Sequence, residues 1–354
     1  MSQAVEIGGA SAVTLTDAEA PSGFAHATVL PGRGMTLLQA RVRHPRLGEF
    51  DALTAPPLEE AARLLDGGPE DFAGNKAFSL GGAILLPYAN RITGQDVPGA
   101  REIEAQVAGR PARLPRNWGG KDPGARQYAM HGLILDARAA QVSQPTQAQV
   151  EAHLQAGDFG GRWPGRADVR VRYALAGGAL ELTVETVNVG HGPLPLGVGW
   201  HPYFNLPSGR RDQAVLRLPA GARAPADNYD EVLPTGEIAP VAGTAFDFRQ
   251  GRALDGLYLD DCFTDLARDD AGQVVCEVLD PAAGYGLRIS TATPQVKALQ
   301  VYAPPDKAFV VVEPQFNLAD PYSSVWAPGV DTGMALLAPG ERVVYQVRLE
   351  TFEV

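Results

Sequence analysis

The stretch "DVRVRYALAGGALELTVETVNV", residues 168–189, decides the fold class. Its two halves, 168–175 and 179–189, both alternate apolar residues with polar or small ones. A period of two places the apolar side chains on one face of a β-strand. The "AGG" at 176–178 supplies a tight turn between the halves. The sequence therefore predicts an antiparallel hairpin here.

Further strand patterns follow at short intervals towards the end of the chain. Four of them, "QVVCEVLD", "GLRISTA", "ALQVYA" and "AFVVVEP", lie between 273 and 314, and "ERVVYQVRLETF" at 341–352 alternates again. The sequence has no regular alternation of strands with helices and no glycine-rich phosphate loop before a helix. Its 40 glycines and 29 prolines favour many short elements. We expect an all-β protein, one large antiparallel β-sandwich that forms a single domain over residues 1–354.

One segment has a helical pattern. "APPLEEAARLLDGG", residues 55–68, begins with prolines followed by glutamates and ends in glycines, as helices commonly do. We expect a single short helix here. Its apolar face is predicted to consist of Leu58, Ala61, Leu64 and Leu65.

Charge and composition exclude several classes of partner. The formal net charge of −11 and the pI near 5.1 oppose binding to nucleic acid or to an anionic membrane surface. The most basic stretch, 109–126, is rich in proline and glycine and is predicted to be a solvated loop. No run approaches the roughly 18 apolar residues of a membrane span, and residues 1–20 lack a secretory pattern. We expect a cytoplasmic protein, with a neutral small molecule as its partner and an oligomeric state that the sequence leaves open.

Local motifs for metal or nucleophilic chemistry are missing from the sequence. The histidines are His26, His44, His131, His153, His191 and His201. None has the spacing of a known zinc motif, so no metal site is predicted. There is no GxSxG motif for a serine nucleophile. Cys262 follows Asp261, whose charge would raise the pKa of the thiol. Two cysteines, Cys262 and Cys276, are too few for a disulfide scaffold, and both are expected to be reduced.

Five short stretches carry polar residues where they could do chemistry. They are "LLPYANRITGQ" (85–95), "YAMHGLILDA" (128–137), "GWHPYFNL" (199–206), "LYLDDCFTDL" (257–266) and "KAFVVVEPQF" (307–316). In the last stretch Glu313 ends an apolar strand, where burial would raise the pKa of its carboxyl group towards neutrality. Taken singly, each stretch has an ordinary explanation, such as a surface arginine, a hydrogen-bonded core histidine or a capped turn.

Together and in this order, the five stretches resemble the aldose 1-epimerase (mutarotase) family. The family pattern reads PYxNRI, HG, H-x-YFNL, an aspartate three positions before a phenylalanine, and EPQ after an apolar strand. This chain has "PYANRI", "HG", "HPYFNL", "DDCF" and "VVVEPQ", spread over roughly residues 80–315. The resemblance implies a large two-sheet antiparallel β-supersandwich with the active cleft across its concave face.

The resemblance also implies catalytic roles. Interconverting the anomers of an aldose breaks the C1–O5 bond, which requires one base at the C1 hydroxyl and one acid at the ring oxygen. Glu313 would be the general base and His201, as imidazolium, the general acid. His131 would be a second histidine near the ring oxygen. This chemistry needs neither a metal nor a cofactor.

The substrate-binding set follows from the same motifs. The resemblance implies that Arg91 and Asp260 bind hydroxyl groups of the sugar. Asn90 and Tyr203 are also expected to contact the sugar. Asp260 is preferred to its neighbour because it stands three residues before the phenylalanine. An apolar wall for the sugar is expected from one or more of Tyr203, Trp200 and Trp326. Trp and Pro flank the central histidine here, in place of the common family residues, and the identity of the sugar is left open.

Three alternatives remain open at the level of sequence. The first is a noncatalytic sugar-binding protein on the same fold. The second is a glycosidase that uses Asp260 and Glu313 as its two carboxylates, which requires a separation of about 5–5.5 Å or about 6.5–9.5 Å. The third is an epimerase of a sugar phosphate, for which arginine-rich loops would have to reach the site.

Overall fold

Most of the regular secondary structure is β-strand in a computed structural model that describes residues 5–354. Within this range the strands are β1 (Glu6–Ile7), β2 (Ala10–Ser11), β3 (Val13–Thr16), β4 (Gly23–Leu30), β5 (Thr36–His44), β6 (Gly48–Asp51), β7 (Gly82–Leu85), β8 (Arg91–Ile92), β9 (Gln95–Asp96), β10 (Glu102–Val107), β11 (Arg110–Pro115), β12 (Trp118–Gly119), β13 (Gln127–Met130), β14 (Gln141–Thr146), β15 (Gln149–His153), β16 (Ala167–Ala176), β17 (Ala179–Asn188), β18 (Leu194–Leu196), β19 (Gly199–Asn205), β20 (Val215–Arg217), β21 (Ala220–Ala224), β22 (Ala239–Pro240), β23 (Arg252–Ala253), β24 (Leu259–Leu266), β25 (Val274–Asp280), β26 (Tyr285–Thr291), β27 (Ala298–Ala303), β28 (Phe309–Gln315), β29 (Ala335–Leu337) and β30 (Arg342–Glu353).

Two large antiparallel sheets contain most of these strands. The back sheet has nine strands in the order β14-β15-β16-β17-β30-β26-β25-β20-β23. The front sheet has eleven, in the order β22-β21-β24-β27-β28-β19-β7-β5-β4-β3, with β6 paired to β5. The hairpin predicted at 168–189 is β16 and β17, whose register pairs Ala176 with Ala179 across the turn. The predicted all-β, two-sheet antiparallel fold is confirmed.

The main hydrophobic core draws side chains from both sheets. Val184 and Tyr345 of the back sheet and Leu299 and Val312 of the front sheet are all buried in one cluster. The Tyr345 hydroxyl donates a hydrogen bond of 2.6 Å to the carbonyl oxygen of Pro314 on β28. Burying a large apolar side chain contributes roughly 1.5–3 kcal/mol, so this core fixes the position of β28 and of the residues on its other face.

The predicted short helix is present but is shorter than its pattern. It runs from Leu58 to Leu64, with Pro57 before its first turn. Ala61 and Leu65 are buried as expected. Leu64 is 38% exposed, so the expectation that it lies on the buried face is wrong. Helical geometry ends one residue before Leu65, which lets that side chain turn inwards.

The strands predicted between 273 and 314 are all present. They form two hairpins in different sheets, since β25 pairs with β26 in the back sheet and β27 with β28 in the front sheet. One other local expectation needs correction. The basic stretch 109–126 is not simply a loop, because it contains β11 and β12.

Neither cysteine forms a disulfide bond, and both are buried. Among the helices of the described range, no helix is long and apolar enough to cross a membrane. The first four of residues 1–20, for which no secretory pattern is expected, lie outside the described residues.

Candidate active site

One face of four adjacent front-sheet strands carries most of the predicted site. Along β28, Val310 and Val312 point into the main core, while Glu313 lines a cavity on the opposite side. The same alternation on β19 buries Trp200 in the core and brings His201 to the cavity. Because side chains alternate along a strand, the apolar neighbours that hold the strand also aim the polar residue at the cavity.

Strand register brings the polar residues of this face together. On β19 and β28, the pairs Gly199↔Gln315 and Tyr203↔Val311 bracket the two catalytic candidates. On the other side of β28, Gln300 of β27 is the register partner of Glu313. In the next pair of strands Asp260 lies opposite Tyr302. Residues far apart in sequence are thus neighbours across three strand pairs.

The small sheet β12-β13-β8 and the turns beside it supply the remaining polar residues. Asn90 and His131 both have left-handed backbone conformations, with φ of 63° and 61°. The His131 amide donates a hydrogen bond of 2.8 Å to the Asn90 carbonyl oxygen. Non-glycine residues in this region cost about 1–3 kcal/mol and occur often at functional sites. Gly132 follows with φ of +85°, and a Cβ there would lie 2.3 Å from the Leu86 carbonyl oxygen, which explains the glycine of the "HG" pair.

All seven predicted site residues line the same cavity, which has a volume of about 390 Å³. They are Asn90, Arg91, His131, His201, Tyr203, Asp260 and Glu313. Cavities that bind small ligands commonly measure about 300–1,000 Å³. A cleft of about 570 Å³ on the back sheet, lined by strands β14 to β17, contains none of these residues.

A closed ring of polar contacts holds the binding residues. Arg91 donates to the Asn90 side-chain oxygen at 2.7 Å, and the Asn90 amide donates to Gln300 at 3.0 Å. Gln300 donates in turn to the Asp260 carboxylate at 2.6 Å. Arg91 and Asp260 close the ring with an ion pair of 3.9 Å. Each member fixes the next, so the guanidinium and the carboxylate face the cavity in one arrangement.

Gln300 is a member of this ring that sequence reasoning missed. It is 3% exposed and stands between Leu299 and Val301 in "ALQVYA". A polar residue in a strand whose neighbours are apolar is the signal that could have found it. Tyr128 was also missed. Its hydroxyl donates to the Glu231 carbonyl oxygen at 2.9 Å and accepts from Arg91 Nε at 3.3 Å.

The two catalytic candidates are in direct contact. Nε2 of His201 lies 3.3 Å from Oε1 of Glu313, and both side chains are nearly inaccessible to solvent. Burial raises the pKa of Glu313 well above its usual value of 4.5, which nearby Asp260 raises further and Arg91 lowers. Burial also lowers the pKa of His201 to about 3. Burial therefore favours the uncharged forms of both groups in the protein without a ligand.

His131 completes this polar group. Its ring is 4.9 Å from that of His201 and nearly perpendicular to it. Neither of its ring nitrogens has a hydrogen-bond partner in the protein, and the same is true of Nδ1 of His201 and Oε2 of Glu313. Burial first, then His201 and Arg91, lower the pKa of His131. Four buried polar atoms without protein partners are typical of a site that receives a ligand.

Aromatic rings form part of the cavity wall. Of the three residues expected there, Tyr203 lines the cavity, with its ring 4.9 Å from that of His201. Trp200 does not, because it points into the core and donates to the Gly82 carbonyl oxygen at 3.1 Å. Trp326 does not either, since it packs in a separate buried cluster with Cys262. Strand alternation explains why Trp200 and Tyr203 face opposite sides.

Two loops meet at the mouth of the cavity. Trp118, Lys121 and Tyr229 line it there. The backbone amide of Lys121 donates to the Asp230 carboxylate at 2.7 Å, and the amide of Arg126 donates to Glu231 at 2.6 Å. Acidic side chains of one loop thus tie down the backbone of the other. The arginine-rich approach that a sugar phosphate would need is not formed by the described lining, in which Arg91 is the arginine and is paired with a carboxylate.

Comparisons with known proteins agree with the fold and the motifs. The sequence profile described as aldose 1-epimerase matches residues 54–350. Galactose mutarotase from Sus scrofa is 32% identical over 145 residues, which cover 38% of this chain and 41% of that protein. The chain therefore matches less than half of the length of this curated relative.

Two solved structures show the same fold. An aldose epimerase homologue from C. elegans superposes with a TM-score of 0.72 at 20% identity, covering 97% of this chain and 99% of that chain. A galactose mutarotase-like protein from Clostridium acetobutylicum gives a TM-score of 0.70 at 19% identity, with 94% and 93% covered. The profile match spans most of the chain and includes all five motif stretches. The chain belongs to the aldose 1-epimerase family.

Proposed function

We propose that this protein is an aldose 1-epimerase that interconverts the α and β anomers of a hexose by acid/base opening of the pyranose ring. The observation that carries the proposal is the contact of 3.3 Å between His201 Nε2 and Glu313 Oε1 at the cavity wall. The contact sets a proton donor and a proton acceptor side by side, as ring opening requires. A relative from Sus scrofa is named galactose mutarotase, which makes galactose the first sugar to test.

In this mechanism each group acts on one oxygen of the sugar. Glu313 removes the proton of the C1 hydroxyl while His201 donates a proton to the ring oxygen O5, and the C1–O5 bond breaks. The open aldehyde turns about C1–C2 and closes on its other face, with both proton transfers reversed. His131, beside His201, is a second polar contact near O5. Positioned proton transfers of this kind are typically worth about 10²–10⁴-fold each.

The position of the proton shared by His201 and Glu313 is consistent with this mechanism. In the proposed active form the pair holds one proton, and burial favours that proton on Glu313 over His201 before the sugar binds. A bound sugar offers its C1 hydroxyl as a donor to the carboxylate and O5 as an acceptor for the imidazolium. Hydrogen bonds to the charged forms favour those forms. Sugar binding therefore shifts the same proton across the 3.3 Å contact and prepares both groups.

The ring of polar contacts around Arg91 would orient the sugar. Arg91 and Asp260 offer a donor fork and an acceptor to neighbouring hydroxyls, as expected for sugar recognition. Both side chains are already fixed by Asn90 and Gln300. A prealigned binding set lowers the entropic cost of reaching the reactive geometry.

The test is polarimetry of freshly dissolved α-anomers across a panel of hexoses and hexose phosphates, with Glu313→Gln beside the parent protein. The expected result is fast equilibration of at least one hexose by the parent and a loss of about 10²–10⁴-fold in the variant. Glu237→Gln is the matched control, because Glu237 is exposed and does not line the cavity.

The alternatives give different outcomes in the same experiment. A noncatalytic sugar-binding protein would bind a hexose in calorimetry without speeding its equilibration, and Glu313→Gln would leave that binding nearly unchanged. Equilibration of hexose phosphates alone would assign the substrate to that class. If the parent speeds the equilibration of no sugar in the panel, the proposed reaction is wrong.

A further inference from the structure

We propose that His131, His201 and Glu313 also form a binding site for a divalent transition-metal ion, with Zn²⁺ as the best match, and that a metal bound there blocks the cavity. The three residues come from segments around 131, 201 and 313. Their potential ligand atoms all lie within 4.8 Å of one another. Metal binding does not depend on the proposed reaction, whereas inhibition by the metal does.

The distances are close to those of a zinc site. Zinc binds imidazole nitrogen and carboxylate oxygen at about 2.0–2.2 Å, which in a tetrahedron places ligand atoms about 3.4 Å apart. His201 Nε2 and Glu313 Oε1 already have this separation, at 3.3 Å. The remaining ligand distances, at most 4.8 Å, require His131 to move inwards by roughly 1 Å. Side-chain adjustments of this size are common on binding.

The chemistry of the donor atoms also suits zinc. Two imidazoles and one carboxylate, with a fourth position open to water, form a common catalytic zinc set. Both nitrogens of His131, Nδ1 of His201 and Oε2 of Glu313 lack hydrogen-bond partners in the protein. All three residues are at least 95% buried. Whichever nitrogen of His131 binds the metal is therefore not engaged elsewhere, and the ion would satisfy a buried polar atom that the protein leaves open.

The charges around the group permit a cation. Arg91 is the cationic side chain that acts on both histidines and on Glu313. Its charge is offset by Asp260, which lies 3.9 Å away and itself faces Glu313. The charges of Arg91 and Asp260 nearly cancel, so the carboxylate of Glu313 would be the main charge that a bound metal ion experiences.

A metal in this position would exclude the sugar chemistry. It would occupy the carboxylate that must accept the C1 proton and the imidazole that must donate to O5. Sugar and metal would then compete for the same atoms. Sequence spacing could not indicate this site, because its ligands come from three distant segments and not from one local motif.

The test is isothermal titration of the metal-stripped full chain with Zn²⁺ alone, followed by Co²⁺ as a spectroscopic probe. We expect one ion per chain and a visible Co²⁺ spectrum of a low-coordinate site. Binding should weaken more than about tenfold in His131→Gln and in Glu313→Gln, since even the loss of an outer hydrogen bond costs 10–100-fold. Circular dichroism of each variant checks that the fold is kept.

Two other histidines provide matched controls. His191 is exposed, and His153 lies on the back sheet in contact with Asp168. His191→Gln and His153→Gln should bind Zn²⁺ as the parent does. Loss of binding in His153→Gln, or unchanged binding in both His131→Gln and Glu313→Gln, would overturn the inference. So would a parent chain that binds no zinc.

An activity measurement separates this inference from the proposed function. In an active parent, Zn²⁺ should raise the apparent KM for the sugar and leave kcat unchanged, and a chelator should reverse the effect. If zinc binds at these residues but no sugar is equilibrated, the metal site stands and the proposed reaction fails. If sugars are equilibrated and zinc does not bind, the reaction stands and the metal site fails.

Discussion

Nε2 of His201 lies 3.3 Å from Oε1 of Glu313, so the two catalytic candidates touch each other and do not face each other across the cavity. Each also keeps one buried polar atom without a protein partner, Nδ1 of His201 and Oε2 of Glu313. The pair can hold one proton in either of two arrangements, and groups this close titrate together rather than singly.

The first prediction concerns the pH dependence of kcat/KM. The active pair carries one proton, so activity falls when a second proton binds and when the first is lost. Burial lowers the pKa of His201 to about 3 and raises that of Glu313 well above 4.5. We therefore expect a broad plateau, with its acidic limb near pH 3 and its alkaline limb above the usual range of a glutamate. The acidic limb thus belongs to His201 and the alkaline limb to Glu313. Side chains with their usual pKa values would give the opposite assignment.

Polarimetry with correction for the spontaneous reaction measures this profile. An acidic limb near pH 4.5, the ordinary value of a glutamate, would contradict the effect of burial. The profile of Glu237→Gln should follow that of the parent.

The second prediction concerns stability. Above pH 4.5 an unfolded chain has released the Glu313 proton, whereas the native chain keeps it because its pKa is raised. The unfolded state then binds fewer protons, so the free energy of unfolding falls as the pH rises towards the native pKa. Each pKa unit corresponds to about 1.4 kcal/mol. Gln cannot ionise, so Glu313→Gln should be more stable than the parent at neutral pH even though it is inactive.

Thermal unfolding of both proteins between acidic and neutral pH checks this. The difference in Tm should be small below pH 4.5, the usual glutamate value, and should grow in favour of the variant as the pH rises. A difference that is constant over this range, or that favours the parent at neutral pH, would show that the carboxyl group is not held protonated. Glu237→Gln should show no such trend, because its side chain is exposed.

The third prediction concerns Gln300. Its amide accepts from Asn90 at 3.0 Å and donates to Asp260 at 2.6 Å. Gln300→Met keeps the length of the side chain but removes both contacts, so Asn90 and Asp260 lose a fixed partner. We expect kcat/KM to fall by on the order of 10–100-fold, mainly through a higher KM. Gln346→Met is the control, since Gln346 is exposed on β30 and does not line the cavity; equal effects of the two changes would rule out a positioning role.

Much of the fold was predictable because strand patterns are local. The alternation at 168–189 and at 341–352 reflects one buried and one polar face, and both segments are strands of the back sheet. Which strands share a sheet was not predictable, because β26 and β27 follow each other in sequence but belong to different sheets. The residues that connect β26 to β27 have no local pattern that would predict the passage of the chain from one sheet to the other.

The site residues could be nominated from motifs, but their arrangement could not. Glu313 and Gln300 are paired by the register of β27 and β28, which no periodicity reveals. Trp200 and Tyr203 are both aromatic and near the same histidine, yet one lies in the core and the other at the cavity. The lowered pKa of His201 could not be anticipated either, because the burial that lowers it to about 3 is a property of the folded chain alone.

The last prediction concerns Gly132. Comparing alanine substitutions at Gly132 and at Gly99 separates the cost of a steric clash from the cost of backbone strain. Its φ is +85°, and a Cβ would meet the Leu86 carbonyl oxygen at 2.3 Å. Gly99 has a similar φ of +76°, but a Cβ there would have no neighbour within 4 Å. Gly99→Ala should therefore cost only the backbone strain, about 1–3 kcal/mol. Gly132→Ala should lower the free energy of unfolding by more than that and also reduce kcat, because it displaces His131; chemical unfolding and polarimetry measure both, and equal stability losses in the two variants would mean that the turn at 131–132 can move to accept a side chain.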